Sequence, residues 1–219
     1  MSYFNPSHAS LVSSEILGVL ANDQLDTRPA RVPDYRAELE ATAGVVRALN
    51  HSPDTVLRNL CDAVMKLTGA DSAGISLAGR SEGKPIFLWQ ATAGLMDKYL
   101  GSVVPWDDSP CSTVLKLDSA LLMVNPARAF QTAGLIEPPL REALLVPFHV
   151  DGQAVGTVWV LSHSVKVFDG EDARIVSNLA ELAALAYQVL VKLGDLELLN
   201  GSVRLVEERR NQRLTEPAQ

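Results

Sequence analysis

Between Leu144 and His163, two runs rich in β-branched, aliphatic and aromatic residues flank Asp151-Gly152. That residue pair favours a two-residue type I′ hairpin turn, because both turn positions need positive φ. With this turn and a side-chain period of two, Val150 is expected opposite Gln153, Phe148 opposite Val155, Val146 opposite Thr157, and Leu144 opposite Trp159. One face would then carry Val146, Phe148, Val155, Thr157, Trp159, Leu161 and His163. The other would carry Leu145, His149, Ala154, Gly156, Val158 and Val160. Both faces are largely apolar, which predicts a sheet covered on each side by helices or loops. Two earlier apolar runs, 73–78 and 86–92, are predicted strands, punctuated by Asp71, Gly79, Gly83 and Pro85.

Helical spacing dominates elsewhere. Leu11, Val12, Ile16, Leu17, Val19 and Leu20 suggest a short amphipathic helix in an N-terminal arm spanning 1–34, which Pro29 and Pro33 interrupt. Leu39, Val45, Val46 and Leu49 predict a surface helix over 35–49. Ser52-Pro53-Asp54 is a helix-start signal for a stripe of Val56, Leu57, Leu60, Val64 and Leu67, with Cys61 buried in it and Gly69 closing it. Phe168-Asp169-Gly170-Glu171-Asp172 opens the last long helix. Its acidic cluster reads first as a cap and dipole partner, with a carboxylate ligand site as the alternative. Leu179, Leu182, Ala186, Val189, Leu193, Leu196, Asn200 and Val203 fall on a heptad seam, which predicts a coiled coil with Asn200 in a core position. Gly194 and the Asn200-Gly201 stop signal weigh against continuation, and a helix lying on its own sheet explains the part before Leu193 equally well.

Composition narrows the function classes. The 219 residues are 47% apolar and 21% charged, with a net charge of −7. That balance fits an ordinary globular chain and argues against nucleic acid, which needs clustered Lys and Arg. The basic group at Arg209, Arg210 and Arg213 sits beside Glu207 and Glu208 and reads as a solvated tail. No secretory signal and no run of about 18 apolar residues is evident, so no membrane partner is expected. Two distant cysteines fit a reducing compartment, and the cytoplasm is the expected location. The four histidines show no metal-ligand spacing, and no Ser-His-Asp grouping suggests catalysis.

The candidate ligand-binding residues are Cys111, Trp106, Trp89, Trp159 and His163. Ser109-Pro110 is a second helix-start signal that places Cys111 in a first turn. Free amides there would favour a thiolate, while Asp107 and Asp108 oppose it. A small side chain filling a pocket floor is the competing reading. Trp89 and Trp159 suit either a core or an aromatic ligand wall. Trp106, in the acidic loop Val104-Pro105-Trp106-Asp107-Asp108, is an aromatic that wants a partner. His163 at a strand end is either a ligand contact or a surface polar group.

Taken in order, these stretches resemble the GAF family of sensory domains over about residues 53–192. The resemblance is carried by Leu60-Cys61-Asp62 through Gly69-Ala70-Asp71-Ser72-Ala73-Gly74-Ile75-Ser76-Leu77, by Leu144-Leu145-Val146-Pro147-Phe148, by Gly156-Thr157-Val158-Trp159-Val160, and by Phe168-Asp169 with Glu171-Asp172. Asp108-Ser109-Pro110-Cys111-Ser112-Thr113-Val114-Leu115 is similar to the form found in GAF sensors that precede bacterial histidine kinases. The resemblance implies an α/β (α+β) fold: a GAF-like antiparallel sheet of about six strands, sandwiched between helices and pocket-forming loops. It divides the chain into an arm and linker at 1–34, a sensory domain with its leading helix at 35–192, and a C-terminal helical extension at 193–219.

The cyclic-nucleotide signature of the family is incomplete, because Ala173 stands where that signature has Glu. The Cys-His pair that attaches a tetrapyrrole is absent from residues 134–143. The cofactor is left unknown. A small-molecule sensor relaying through its terminal helices is the leading expectation, as a homodimer, with output passing to a separate partner such as a kinase. A dimerisation module without ligand and a redox enzyme using Cys111 are the alternatives.

Overall fold

Asp151 and Gly152 both adopt positive φ, 52° and 76°, as a type I′ turn requires. They join β5 (Glu142–Val150) to β6 (Gln153–Ser162). The computed structural model describes residues 11–52, 55–164 and 168–194, and the backbone of 196–199 and 202–205. The pairing starts as expected, with Val150 opposite Gln153, but a bulge at Phe148/His149 then shifts the register. Phe148 lies opposite Gly156, Val146 opposite Val158, and Leu145 opposite Trp159. One unpaired residue on the β6 side, Val155, moves all later partners by one. Val146 and Phe148 therefore share a face with Val158 and Val160, while Leu145 joins Trp159 and Leu161. The expected assignment of β5 to the two faces is corrected accordingly.

The six-stranded antiparallel sheet has the order β3-β2-β1-β6-β5-β4. Its remaining strands are β1 (Ser72–Ser81), β2 (Lys84–Gly94), β3 (Val103–Pro105) and β4 (Leu121–Val124). The predicted strands 73–78 and 86–92 are the middles of β1 and β2. Both sheet faces are buried, as their apolar composition required. On one face, α4 (Val56–Thr68) and α7 (Gly170–Leu193) cover Ile75, Leu77, Leu144, Val146, Val158 and Val160. On the other, α5 (Pro110–Leu117) and the segment 126–141, which includes α6 (Gln131–Gly134), cover Phe87, Trp89, Leu145, Trp159 and Leu161.

Helix ends follow their chemistry. Gly69 closes α4 in the left-handed conformation (φ 61°). The α-helical part of α4 begins at Val56, and the Thr55 amide and hydroxyl ahead of it donate to the Ser52 carbonyl; Pro53 and Asp54 of the predicted start lie outside the described residues. Asp169 caps α7 by accepting from the amides of Glu171 and Asp172, and Asp172 reaches back to the Asp169 amide. The acidic cluster is thus a cap. α3 (Tyr35–His51) packs against α4 and α7.

Two helical expectations are corrected. Residues 11–20 do not form one helix; α1 is confined to Ser14–Leu17, and α2 spans Asp23–Thr27. Between them, Val19 and Ala21 hydrogen-bond Val124 and Leu122, and the Asn22 side chain bonds the backbone of Ala120 and Leu122. This segment covers the open edge of β4, whose unpaired backbone groups require partners. The heptad seam also fails. α7 stops at Leu193, where Gly194 (φ 73°) turns left-handed. Leu196 and Val203 then lie in the two-stranded hairpin of β7 (Leu196–Leu199) and β8 (Ser202–Leu205), and Asn200 lies outside the described residues. Leu179 and Ala186 are buried against the chain's own sheet. By length and composition α7 could span a bilayer, but its apolar face is the cover of that sheet.

Candidate functional site

Ser109 and Pro110 start α5 as the sequence predicts: the Ser109 hydroxyl accepts from the Cys111 amide, and Pro110 occupies the first turn. This sets Cys111 against β6, where its Sγ accepts a 3.2 Å hydrogen bond from the Thr157 hydroxyl. Burial pushes the Cys111 thiol above its usual range, and hydrogen bonds with Thr157, Ser76 and Ser109 offset part of that rise. Of the two readings of this thiol, first-turn activation does not prevail, and a small buried side chain at the cavity wall fits. Cys61 is buried on the opposite face of the sheet, so the two cysteines do not meet.

Trp159 lies over β1 because Gly74 leaves room for it: a Cβ at residue 74 would come within 2.1 Å of the indole ring. The ring is fixed by a 2.9 Å hydrogen bond from its Nε1 to the Ser76 hydroxyl. Trp89 packs beside it, with ring centroids 5.9 Å apart. Above these indoles and Cys111 is a cavity with about 40 Å³ open to the centre of a water-sized sphere. Met96, Leu145 and Leu161 complete its floor and sides, and Ala133, Ile136 and Leu140 of segment 126–141 form its roof.

That roof is held by polar contacts made outside the cavity. Asp108 accepts from the amides of Gln131 and Thr132, at 2.6 and 2.8 Å, and from the Thr132 hydroxyl. The Tyr99 hydroxyl accepts from the Glu137 amide at 3.2 Å. His163 donates from Nδ1 to the Pro138 carbonyl at 2.7 Å, while its Nε2 lies 3.1 Å from the Ser72 hydroxyl.

Of the five sequence candidates, Cys111, Trp89 and Trp159 come together around the cavity. Trp106 and His163 do not line it. Trp106 is half-buried and stacks on Phe87, with centroids 4.8 Å apart, which satisfies it outside the chamber. His163 acts on the roof. The roof residues escaped the sequence reading because nothing local ties 126–141 to the sheet: the Asp108 contact spans 23 residues and the His163 contact 25.

At the end of the roof, Glu142 is nearly buried and forms a two-pronged pair with Arg28 at 3.0 and 3.3 Å. The same carboxylate accepts from the Phe168 amide at 3.1 Å, and Arg28 donates to the Phe168 carbonyl at 2.7 Å. Arg31 donates its amide to Asp169 and pairs with Asp172. The start of α7, the end of the roof and the N-terminal segment thus meet in one charged cluster. Among the described residues, no group of His, Cys, Asp and Glu has the arrangement to hold a metal.

Comparison with known proteins gives a consistent family. The GAF domain profile matches residues 50–188. The GAF domain of a phosphoenolpyruvate-protein phosphotransferase from Coxiella burnetii superposes with a TM-score of 0.63 at 16% identity, covering 75% of this chain and 100% of that one. The free methionine-R-sulfoxide reductase of Neisseria meningitidis, in complex with its substrate, gives a TM-score of 0.56 at 13% identity, covering 75% and 96%. The GAF-B domain of DevS from Mycobacterium smegmatis gives 0.51 at 21% identity, covering 65% and 98%. At these identities the likeness is one of fold. No curated protein matches the chain.

Proposed function

The chain belongs to the GAF domain family, and from that premise we propose that it is a bacterial signalling domain in which a small molecule beneath the 126–141 roof alters the start of α7. The observation that carries this reading is Glu142. It stands next to Ala143 of the cavity wall, at the end of the roof, and its carboxylate holds both Arg28 and the Phe168 amide. A shift of the roof reaches Glu142 directly, and through it the α7 cap and the N-terminal segment together. A ligand that favours one roof position biases the helix by its difference in affinity for the two states.

In this reading the chain works in the cytoplasm as a homodimer through α3 and α7 and signals to a separate partner such as a kinase. Support for the dimer comes from exposed apolar side chains on those helices: Tyr35 (68%), Leu39 (70%) and Val46 on α3, and Leu185 and Leu193 on α7.

Thermal-shift screening of the full chain against a metabolite library, followed by hydrogen exchange, tests the relay. A binder is expected to protect amides at 126–141 and also at the start of α7. In Glu142→Ala the first protection should persist and the second should disappear. No binder in the library, or a binder that protects only 126–141 in the wild-type protein, overturns the proposal.

A further inference from the structure

We infer that the cavity selects a small, uncharged and largely apolar molecule of only a few heavy atoms, and rejects anions and nucleotides. The inference rests on reading this cavity as the sensory site, and it adds the chemistry of what enters. Among the described residues, no charged side chain lines the space: its walls are Trp89, Trp159, Met96, Leu145 and Leu161, with Ile136 and Leu140 above. An ion entering such a chamber loses its hydration and finds no counter-charge.

The polar groups nearest the wall each already have a partner within the protein. The Ser109 hydroxyl accepts from the Cys111 amide, the Thr132 hydroxyl donates to Asp108, the Cys111 sulfur accepts from Thr157, and the Trp159 N–H donates to Ser76. A ligand bristling with donors or acceptors would leave most of its own groups unpaired, because only the remaining capacity of these few hydroxyls and one thiol could meet them. Size sets the second limit. A space of about 40 Å³ for the centre of a water-sized sphere exceeds the roughly 10–15 Å³ that one water needs. It is a fraction of the roughly 150 Å³ of an apolar cavity that takes benzene, and falls far short of a nucleotide.

The roof explains why this space is more than loose packing. Asp108, Tyr99 and His163 hold its backbone from outside at Gln131, Thr132, Glu137 and Pro138. Its height over the indoles is therefore set by directional polar bonds as well as by its packing against the sheet. An apolar chamber kept open in this way stays dry and takes apolar guests.

The test compares dichloromethane with acetate, which is of similar size and carries a negative charge, and with a cyclic nucleotide. Binding to the full chain is followed by ligand-observed NMR and thermal shift, and hydrogen exchange is recorded at the start of α7. Dichloromethane is expected to bind, acetate at least tenfold more weakly, and the nucleotide not at all. Ala133→Leu, which fills the roof side, should abolish dichloromethane binding; Ala143→Val serves if the first variant does not fold. Equal or tighter binding of acetate or nucleotide, absence of dichloromethane binding, or dichloromethane binding that survives the filled cavity overturns the inference. Dichloromethane binding without any response at α7 upholds the inference and instead overturns the relay proposed above.

Discussion

Cys111 shows how far a residue's chemistry depends on what the fold brings to it. Ser109-Pro110 predicted its place in a helix first turn, and the structure agrees. Of the two readings of its thiol, a reactive thiolate and a small buried side chain, the structure favours the second, because β6, 46 residues downstream, buries the sulfur beneath Thr157. Desolvation of the anion outweighs the free amides. Two consequences are measurable. Alkylation of Cys111 near neutral pH should be slower than that of a free thiol. Alkaline titration should also reveal the shift. The folded state keeps the proton longer than the unfolded chain, so stability is at its full value below the unfolded thiol range near about 8.5 and falls as pH rises above it. Denaturant midpoints between pH 7 and 10 should decline in the wild-type protein and decline less in Cys111→Ala. Trp106 carries the same lesson in reverse: an aromatic in an acidic loop needs a partner, and Phe87 supplies it away from the cavity.

At the scale of elements, signals held within a few residues were legible. Asp151-Gly152 gave the hairpin turn, Gly69 the end of α4, and Asp169 the cap of α7. The register of β5 against β6 was not, because the bulge at Phe148/His149 answers to strand twist and to Gly156, where a Cβ would strike the Phe148 ring. The heptad pattern misled because an apolar stripe facing a sheet has nearly the period of one facing another helix. Gly194 then ended the helix, and the stripe continued into strands. The roof is the element least visible in the sequence, since its tethers cross long stretches of chain. Asp108→Ala removes three of its hydrogen bonds. Exchange at Gln131 and Thr132 should accelerate while α4 stays protected, and stability should fall by about 2 kcal/mol, the scale of hydrogen bonds to a charged acceptor. Unchanged exchange at those amides would show that Asp108 does not hold the roof.

For the whole molecule, composition and the two apolar faces of the hairpin predicted three layers, and three layers are present. The family resemblance supplied the sheet of about six strands, which the fold and the family profile bear out. Strand order and the meeting of Arg28 with Glu142 needed the tertiary structure, because their 114-residue separation leaves no local trace. The proposed homodimer is the prediction that belongs to this scale. Leu39→Glu with Leu185→Glu should convert a dimer to a monomer in sedimentation velocity without changing the thermal unfolding of the domain by much, since both side chains are exposed. A sedimentation coefficient equal to that of the wild-type protein would count against these helices as the interface.

The missing side chain at Gly74 governs the depth of the chamber. Because the backbone of β1 lies bare there, the Trp159 indole rests directly on the sheet. A single methyl at residue 74 would lift the ring toward the roof and shrink the chamber from beneath. The capacity of this cavity is therefore written near the start of a strand, at a position that does not line it.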